Sequence, residues 1–161
     1  MPDSLLSDQA GNISRPTGTC YLIGRLDHAL NRRMLEVLAP LGLTVSQYTA
    51  LSFLESQTQI SNAQLAERTM VSPQSANEMV KQMGEKGWVE RTPDPFHGRV
   101  VRLSVTVSGT VVLQQAHAAV AKVELAMLAG LTKPQRTALQ GGLRSILHAL
   151  STRKVSPDKP D

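Results

Sequence analysis

Apolar residues recur at intervals of three and four along most of residues 20–150, and at intervals of two in one short stretch. From Tyr21 onward, Leu22, Leu26, Ala29, Leu30, Met34, Val37, Leu38 and Leu41 form one stripe. This spacing predicts a long amphipathic helix ending near Pro40-Leu41-Gly42. Thr44 and Gln47 have capping-box spacing ahead of Tyr48, Leu51 and Leu54, and Ser61 and Gln64 repeat the box ahead of Leu65, Ala66 and Met70. Ser72-Pro73 then offers a hydroxyl cap followed by proline at the first helical position. The helix it opens carries Ala76, Met79, Val80 and Met83 on one face, and Gly87 is placed to end it. Two short helices joined by the tight Thr69-to-Ser72 link describe a helix-turn-helix.

The period then shortens to two. Val89 and Arg91 lead into a tip rich in proline and glycine, Thr92 to Arg99, after which Val101, Leu103 and Val105 alternate with Arg102, Ser104 and Thr106. A β-hairpin directly after a helix-turn-helix is the order of a winged helix. Two helices follow, the first striped by Val112, Ala116, Ala119, Val120, Val123 and Met127. The second opens at Thr132 to Gln135 and carries Leu139, Leu143, Ile146, Leu147 and Leu150. The predicted fold is therefore mainly α with a small β-hairpin wing: a winged helix-turn-helix lobe over about 44–106, flanked by helices over about 19–40 and 108–151. Those terminal helices are apolar on more than one side, as expected of dimerisation helices that bury against a second copy of the chain. Residues 1–16 and 152–161 are polar and broken by proline, and read as mobile arms.

Composition narrows the class further. The chain has 161 residues, 41% hydrophobic and 19% charged, enough for one packed domain. Aromatics are only 3%, so Leu, Val, Ala and Met must fill the core, which suits helix packing. The single cysteine, Cys20, excludes an intramolecular disulfide. No apolar stretch reaches membrane-spanning length, and a soluble, cytoplasmic protein without membrane association is expected. The net charge of +4 suggests nucleic acid, but its distribution does not. Residues 61–103 carry six basic and five acidic groups, whereas residues 104–161 carry seven and three. Net charge is therefore no argument that the lobe binds DNA.

The ordered set of Gly42-Leu43-Thr44, Gln47, Ser61, Leu65-Ala66 and Ser72-Pro73, followed by Glu85-Lys86-Gly87-Trp88-Val89-Glu90-Arg91, Asp94-Pro95, Arg99 and Leu103-Ser104-Val105-Thr106, resembles the MarR family of winged helix-turn-helix transcriptional regulators. The resemblance spans roughly residues 20–150, within an expected family-type domain over 17–151. It implies a homodimeric repressor that binds a pseudo-palindromic operator on double-stranded DNA and is released by a small ligand, such as a phenolic or other aromatic effector, or by oxidation. One position departs from the family pattern. The usual wing tip reads Asp, any residue, Arg, and here the triplet is His97-Gly98-Arg99, with histidine in place of the bracing acid.

Read without the family, the helix that starts at Pro73 turns Gln74, Ser75, Asn77, Glu78, Lys81 and Gln82 outward. Its amides suit base edges in the major groove, and Lys81 suits phosphate. A solvated helix face would be polar too. Arg99, held out on a hairpin tip, fits insertion into the minor groove, although an exposed loop arginine is ordinary. Ser61 and Ser72 can offer hydroxyls and helix-start amides to phosphate, and Arg91 and Arg102 flank the wing. The candidate DNA contacts are therefore Ser61, Ser72, Gln74, Ser75, Asn77, Lys81, Arg91, Arg99 and Arg102.

The family's effector pocket implies His28, Arg32, Tyr48, Leu51 and His117 as lining positions, each of which also reads as a core or surface residue. Cys20, 28 positions before Tyr48, resembles the reactive cysteine of the hydroperoxide-sensing branch. The two tyrosines that hold that thiolate correspond here to Gly24 and Met34, which favours a buried or idle cysteine. No phosphate-binding glycine loop or nucleophile-base pair points to an enzyme, and the four histidines lack metal-ligand spacing. No cofactor or metal is expected. The remaining rival is a winged-helix interaction module that has lost DNA binding.

Overall fold

The computed structural model describes residues 18–57, 60–94 and 101–152. The expected mobile arm at 1–16, most of the expected tail, and the wing tip with His97, Gly98 and Arg99 lie outside the described residues. Helix α1 spans Thr19–Leu38 and passes into a 3-10 turn at Ala39–Leu41. Pro40 has no N–H to continue the α-helical ladder, so the chain tightens there and turns at Gly42, whose φ is +70°. Helix α2 (Val45–Ser56) and helix α3 (Asn62–Thr69) open on complete capping boxes, at Thr44 with Gln47 and at Ser61 with Gln64. Helix α4 (Pro73–Glu85) begins at Ser72, whose Oγ accepts the Ser75 N–H at 3.1 Å. Its end is closed by Gly87 in the left-handed region, which lets the Trp88 N–H reach back to the Met83 carbonyl at 2.9 Å.

The wing pairs β2 (Val89–Pro93) with β3 (Val101–Val105) in antiparallel register, Val89 opposite Val105 and Pro93 opposite Val101. A third strand, β1 (Ile60–Ser61), adds to the far edge of β3, giving the order β1-β3-β2. The sequence pattern did not anticipate β1, because two residues are too few to display a period. It also placed Thr92 and Pro93 in the tip, whereas the strand extends through both.

Helix α5 spans Val107–Leu128 and helix α6 spans Lys133–Thr152, one residue into the expected tail. Two compact units result, one running to Val123 and one from Glu124. In the first, Leu38, Leu51, Leu54, Leu65, Met83, Leu103 and Leu113 are fully buried, and Ala76, Met79, Val80 and Met83 form the inner face of α4 as the spacing requires. The α5 stripe holds in part: Ala116 is buried and Val112 and Val120 pack half-buried against the core as expected, but Leu113 is also fully buried and Met127 is exposed. In the second unit, Thr132 and Gln135 form the expected helix start, with the Thr132 N–H donating to Gln135 Oε1 at 2.8 Å.

The terminal helices bury little within the chain. Leu22 and Leu26 are exposed on α1, where only Leu38 is buried, and among the described residues none of α6 is buried. Among the described residues, no single helix is long and apolar enough to cross a membrane.

Candidate nucleic-acid interface

Helix α4 presents a polar ridge whose roll is fixed by what lies beneath and beside it. Burial of Ala76, Met79, Val80 and Met83 turns Gln74, Ser75, Asn77, Glu78, Lys81 and Gln82 outward, all of them exposed. The helix start is formed by Ser72, whose Oγ also lies 2.9 Å from Ser75 Oγ. The sharp entry to this helix comes from Met70, which takes the left-handed conformation at φ 56° to close α3. A non-glycine residue there is uncommon, and the Met70 N–H and Val71 N–H are held by the Glu67 and Ala66 carbonyls.

Two side-chain clips flank the ridge. On one side Gln47 Nε2 donates to Gln82 Oε1 at 3.3 Å, joining α2 to α4. On the other, Asn62 Nδ2 donates to Asn77 Oδ1 at 2.7 Å, joining the start of α3 to α4. Neither clip was foreseen, because its partners lie 35 and 15 positions apart in sequence. An open concavity of about 420 Å³ beside the second clip brings together Ser61, Asn77, Arg91 and Leu103. Three of the sequence-predicted contacts therefore share one surface. Ser61 Oγ accepts the Gln64 N–H at 3.3 Å and keeps its own proton to donate. Lys81 and Arg91 are exposed and form no ion pair among the described residues.

Arg102 is placed differently from the other predicted contacts. Its Nε and Nη2 both lie 2.7 Å from Asp94 Oδ2, and the Asp94 side chain is buried. The strand register sets this arrangement, with Arg102 opposite Thr92, two residues from the acid. The sequence suggested a charge contact for DNA; the structure shows Arg102 paired with Asp94, where it braces the base of the wing. Asp94→Ala should cost about 2 kcal/mol, below the range for a fully buried pair because Arg102 retains some water. Asp94→Asn, which can still accept one hydrogen bond, should cost less. Urea denaturation would measure both, and equal stability of Asp94→Ala and the parent would show that the pair braces nothing.

The five positions suggested for an effector have different surroundings. Leu51 lies wholly in the core. His28 and Arg32 lie on the exposed face of α1 with Tyr21 and Arg25. Tyr48 and His117 do meet: the Tyr48 hydroxyl is 3.1 Å from His117 Nδ1, and His117 Nε2 is 3.3 Å from Glu55 Oε2. With its proton on Nε2, neutral His117 donates to Glu55 and accepts from Tyr48, so the three groups form a chain. Cys20 is exposed in the first turn of α1, so of a buried or an idle cysteine the structure rules out only burial within the chain.

Comparisons with known proteins agree with this architecture. A model of the MarR family matches residues 41–100, which include the helix-turn-helix. An HTH-type transcriptional repressor of Mycobacterium tuberculosis is 31% identical over 116 residues, covering 72% of this chain and 84% of the relative. The multiple antibiotic resistance protein MarR of Escherichia coli is 30% identical over 99 residues, covering 59% of this chain and 69% of the relative. Among solved structures, a MarR mutant from Escherichia coli complexed with operator DNA superposes with a TM-score of 0.72 at 27% identity, covering 78% of this chain and 91% of that one. The capped helix pair, the three-stranded wing and this identity over most of both chains place the protein in the MarR family of winged helix-turn-helix transcriptional regulators.

Proposed function

We propose that the protein is a cytoplasmic, homodimeric repressor that binds a pseudo-palindromic operator through α4 and its wing and is released by a small aromatic ligand. The observation that carries this reading is the α4 ridge: six exposed polar side chains on a capped helix, clipped on both flanks and set beside Arg91 at the wing base. Gln74, Ser75 and Asn77 supply donors and acceptors for base edges in the major groove, Lys81 and Arg91 supply charge to phosphate, and Ser61 and Ser72 supply hydroxyls. Arg99 would enter the minor groove. The Escherichia coli relative solved in complex with operator DNA supports operator DNA as the partner. The exposed apolar faces of α1 and α6 support the homodimer, and two lobes then read half-sites about one helical turn apart. Release requires the effector to bind the DNA-incompetent arrangement more tightly. The Tyr48–His117–Glu55 chain, partly open to solvent, supports an aromatic ligand with a hydroxyl or carboxylate near α2 and α5.

Selection of bound sites from random DNA, followed by a salt titration on the enriched site, tests this reading. A specific operator should emerge, and affinity should fall steeply with salt. Lys81→Ala should weaken binding to all sequences alike and lower the salt slope by about one per lobe. An interaction module without DNA binding would enrich nothing. Exposure of Cys20 favours one second reading, release by oxidation. A hydroperoxide response that survives in Cys20→Ser would eliminate it.

A further inference from the structure

We infer that Glu78 reads a cytosine in the operator, and that Gln47 and Gln82 are positioning residues that hold its carboxylate for this task. The inference rests on α4 being the helix that enters the major groove.

Glu78 stands in the second turn of α4, on the exposed ridge between Gln74 and Gln82. An acid at that place repels the phosphate backbone. The base-edge partners open to a carboxylate are exocyclic amino groups, and the cytosine amino group is the one that Asp and Glu read in the major groove. Its geometry is not that of a loose surface side chain. Gln82 Nε2 donates to Glu78 Oε1 at 3.2 Å, and Gln82 Oε1 accepts from Gln47 Nε2 at 3.3 Å. Gln47 is 3% exposed, and its own oxygen accepts the Thr44 N–H at 3.2 Å. Its backbone N–H in turn donates to Thr44 Oγ1 at 3.1 Å.

The polarity of this chain is therefore set at its buried end. Because Gln47 Oε1 is committed to the capping box, its amide must donate. Gln82 must then present its oxygen to Gln47 and its amide to Glu78. The capping box of α2 thereby orients an acid on the reading face of α4, and an open concavity bordered by Thr44, Ser46, Gln74 and Glu78 leaves room for a base edge beside it. Among the described residues only Gln82 contacts the Glu78 carboxylate, through Oε1, which leaves Oε2 to face a ligand.

Two substitutions separate the roles. Glu78→Gln keeps an acceptor for Gln82 but removes the charge and adds a donor. Gln47→Glu keeps the capping box, since a carboxylate accepts the Thr44 N–H equally well. It can no longer donate, so Gln82 turns its amide toward position 47 and its oxygen toward Glu78, and the carboxylate is pushed out of place. The experiment is site selection from random DNA with the full-length wild type and both variants, alongside their thermal unfolding. The wild type should enrich an operator with cytosine in one symmetric pair of columns. Glu78→Gln should lose on the order of tenfold preference in those columns alone. Gln47→Glu should blur the same columns at some cost in thermal stability, since it places a carboxylate where Gln47 is 3% exposed. Gln82→Leu, at an exposed position, should produce the same blurring while unfolding within a few degrees of the wild type. An enriched operator whose columns are unchanged in Glu78→Gln overturns the inference while leaving the recognition helix in place. Blurring by Glu78→Gln but not by Gln47→Glu overturns the positioning role. A wild type that enriches no site overturns the inference and the proposed function together.

Discussion

Gly109→Ala should destabilise the protein by at least about 3 kcal/mol, beyond the usual cost of an added core methylene. A Cβ at this position would lie 2.1 Å from the Trp88 carbonyl oxygen, 2.7 Å from Val105 Cγ1 and 3.0 Å from the Trp88 carbonyl carbon. The first obstacle is backbone and cannot rotate aside. Trp88 is also pinned from both directions: its N–H donates to the Met83 carbonyl at 2.9 Å, and its carbonyl accepts the Thr106 N–H at 3.0 Å. The start of α5 would therefore have to retreat, drawing Leu113 and Ala116 from the core into which they are wholly buried. Helix propensity argues the other way, since alanine is favoured over glycine by about 1 kcal/mol in a helix interior. The sign of the effect is thus decisive. Gly84→Ala, also in a helix but meeting nothing closer than the Val89 carbonyl at 3.8 Å, should stabilise by roughly 0.5–1 kcal/mol. Urea unfolding of the two variants beside the wild type would check the contrast. Equal gains in both would mean that α5 does not seat on the Trp88 backbone.

Gly109 also illustrates what the sequence could and could not convey. It lies in the third position of a helix whose cap is Thr106, and nothing local distinguishes it from other helical glycines. Its necessity comes from a hairpin about twenty residues earlier. Features written in neighbouring residues were legible: the boxes at Thr44 and Ser61, the Ser72-Pro73 start, and the inner face of α4 are all set within one or two helical turns. The wing was legible as a hairpin because Leu103 and Val89 alternate with polar residues. Its third strand was not, because Ile60 and Ser61 acquire strand character only from pairing with Leu103 and Arg102.

The candidate interface divides along the same line. Which residues face outward on α4 follows from helical period alone. How they are held does not, since Gln47 with Gln82 and Asn62 with Asn77 meet only after the helices cross. Gln47 carries two roles of different range. Its spacing from Thr44 announces the cap, while its burial and amide direction connect that cap to α4. Arg102 shows the converse. Its charge drew attention in the sequence as a DNA contact, while its pairing with Asp94 emerges only through the β2–β3 register.

The largest expected effect on DNA binding comes from a helix that would touch no DNA. Replacing Leu143 and Leu147 together by glutamate should dissociate the proposed dimer and lower operator affinity by about 10²–10⁴-fold, the range over which linked binding exceeds that of a single module. Helix α6 carries Leu139, Leu143, Ile146, Leu147 and Leu150 in one stripe, and all five are exposed, Leu147 at 64% and Leu150 at 72%. A 20-residue helix none of whose described residues is buried gains little from packing within its own chain. Fully covering an exposed leucine or isoleucine contributes roughly 1.5–3 kcal/mol, so Leu147 and Leu150, with the partly exposed Leu139, Leu143 and Ile146, supply a substantial force for association. Leu22, Ile23 and Leu26 leave a second exposed apolar face on α1. The paired substitution would place four carboxylates in the dimer, where burial without partners is prohibitive. Among the described residues, the buried core runs from Leu38 to Ala116 and the half-buried residues packed on it extend only from Met34 to Val120, all outside α6, so the DNA-binding lobe should stay folded in the variant. Sedimentation should report a monomer, with the cooperative unfolding of the lobe retained. Residual DNA binding should then be weak and lose its half-site spacing requirement. A variant that stayed dimeric with full operator affinity would move the interface away from α6. Residues 61–103 carry a net charge of only +1. One lobe therefore has little nonspecific attraction for DNA, and the second copy must supply by geometry what the charge does not.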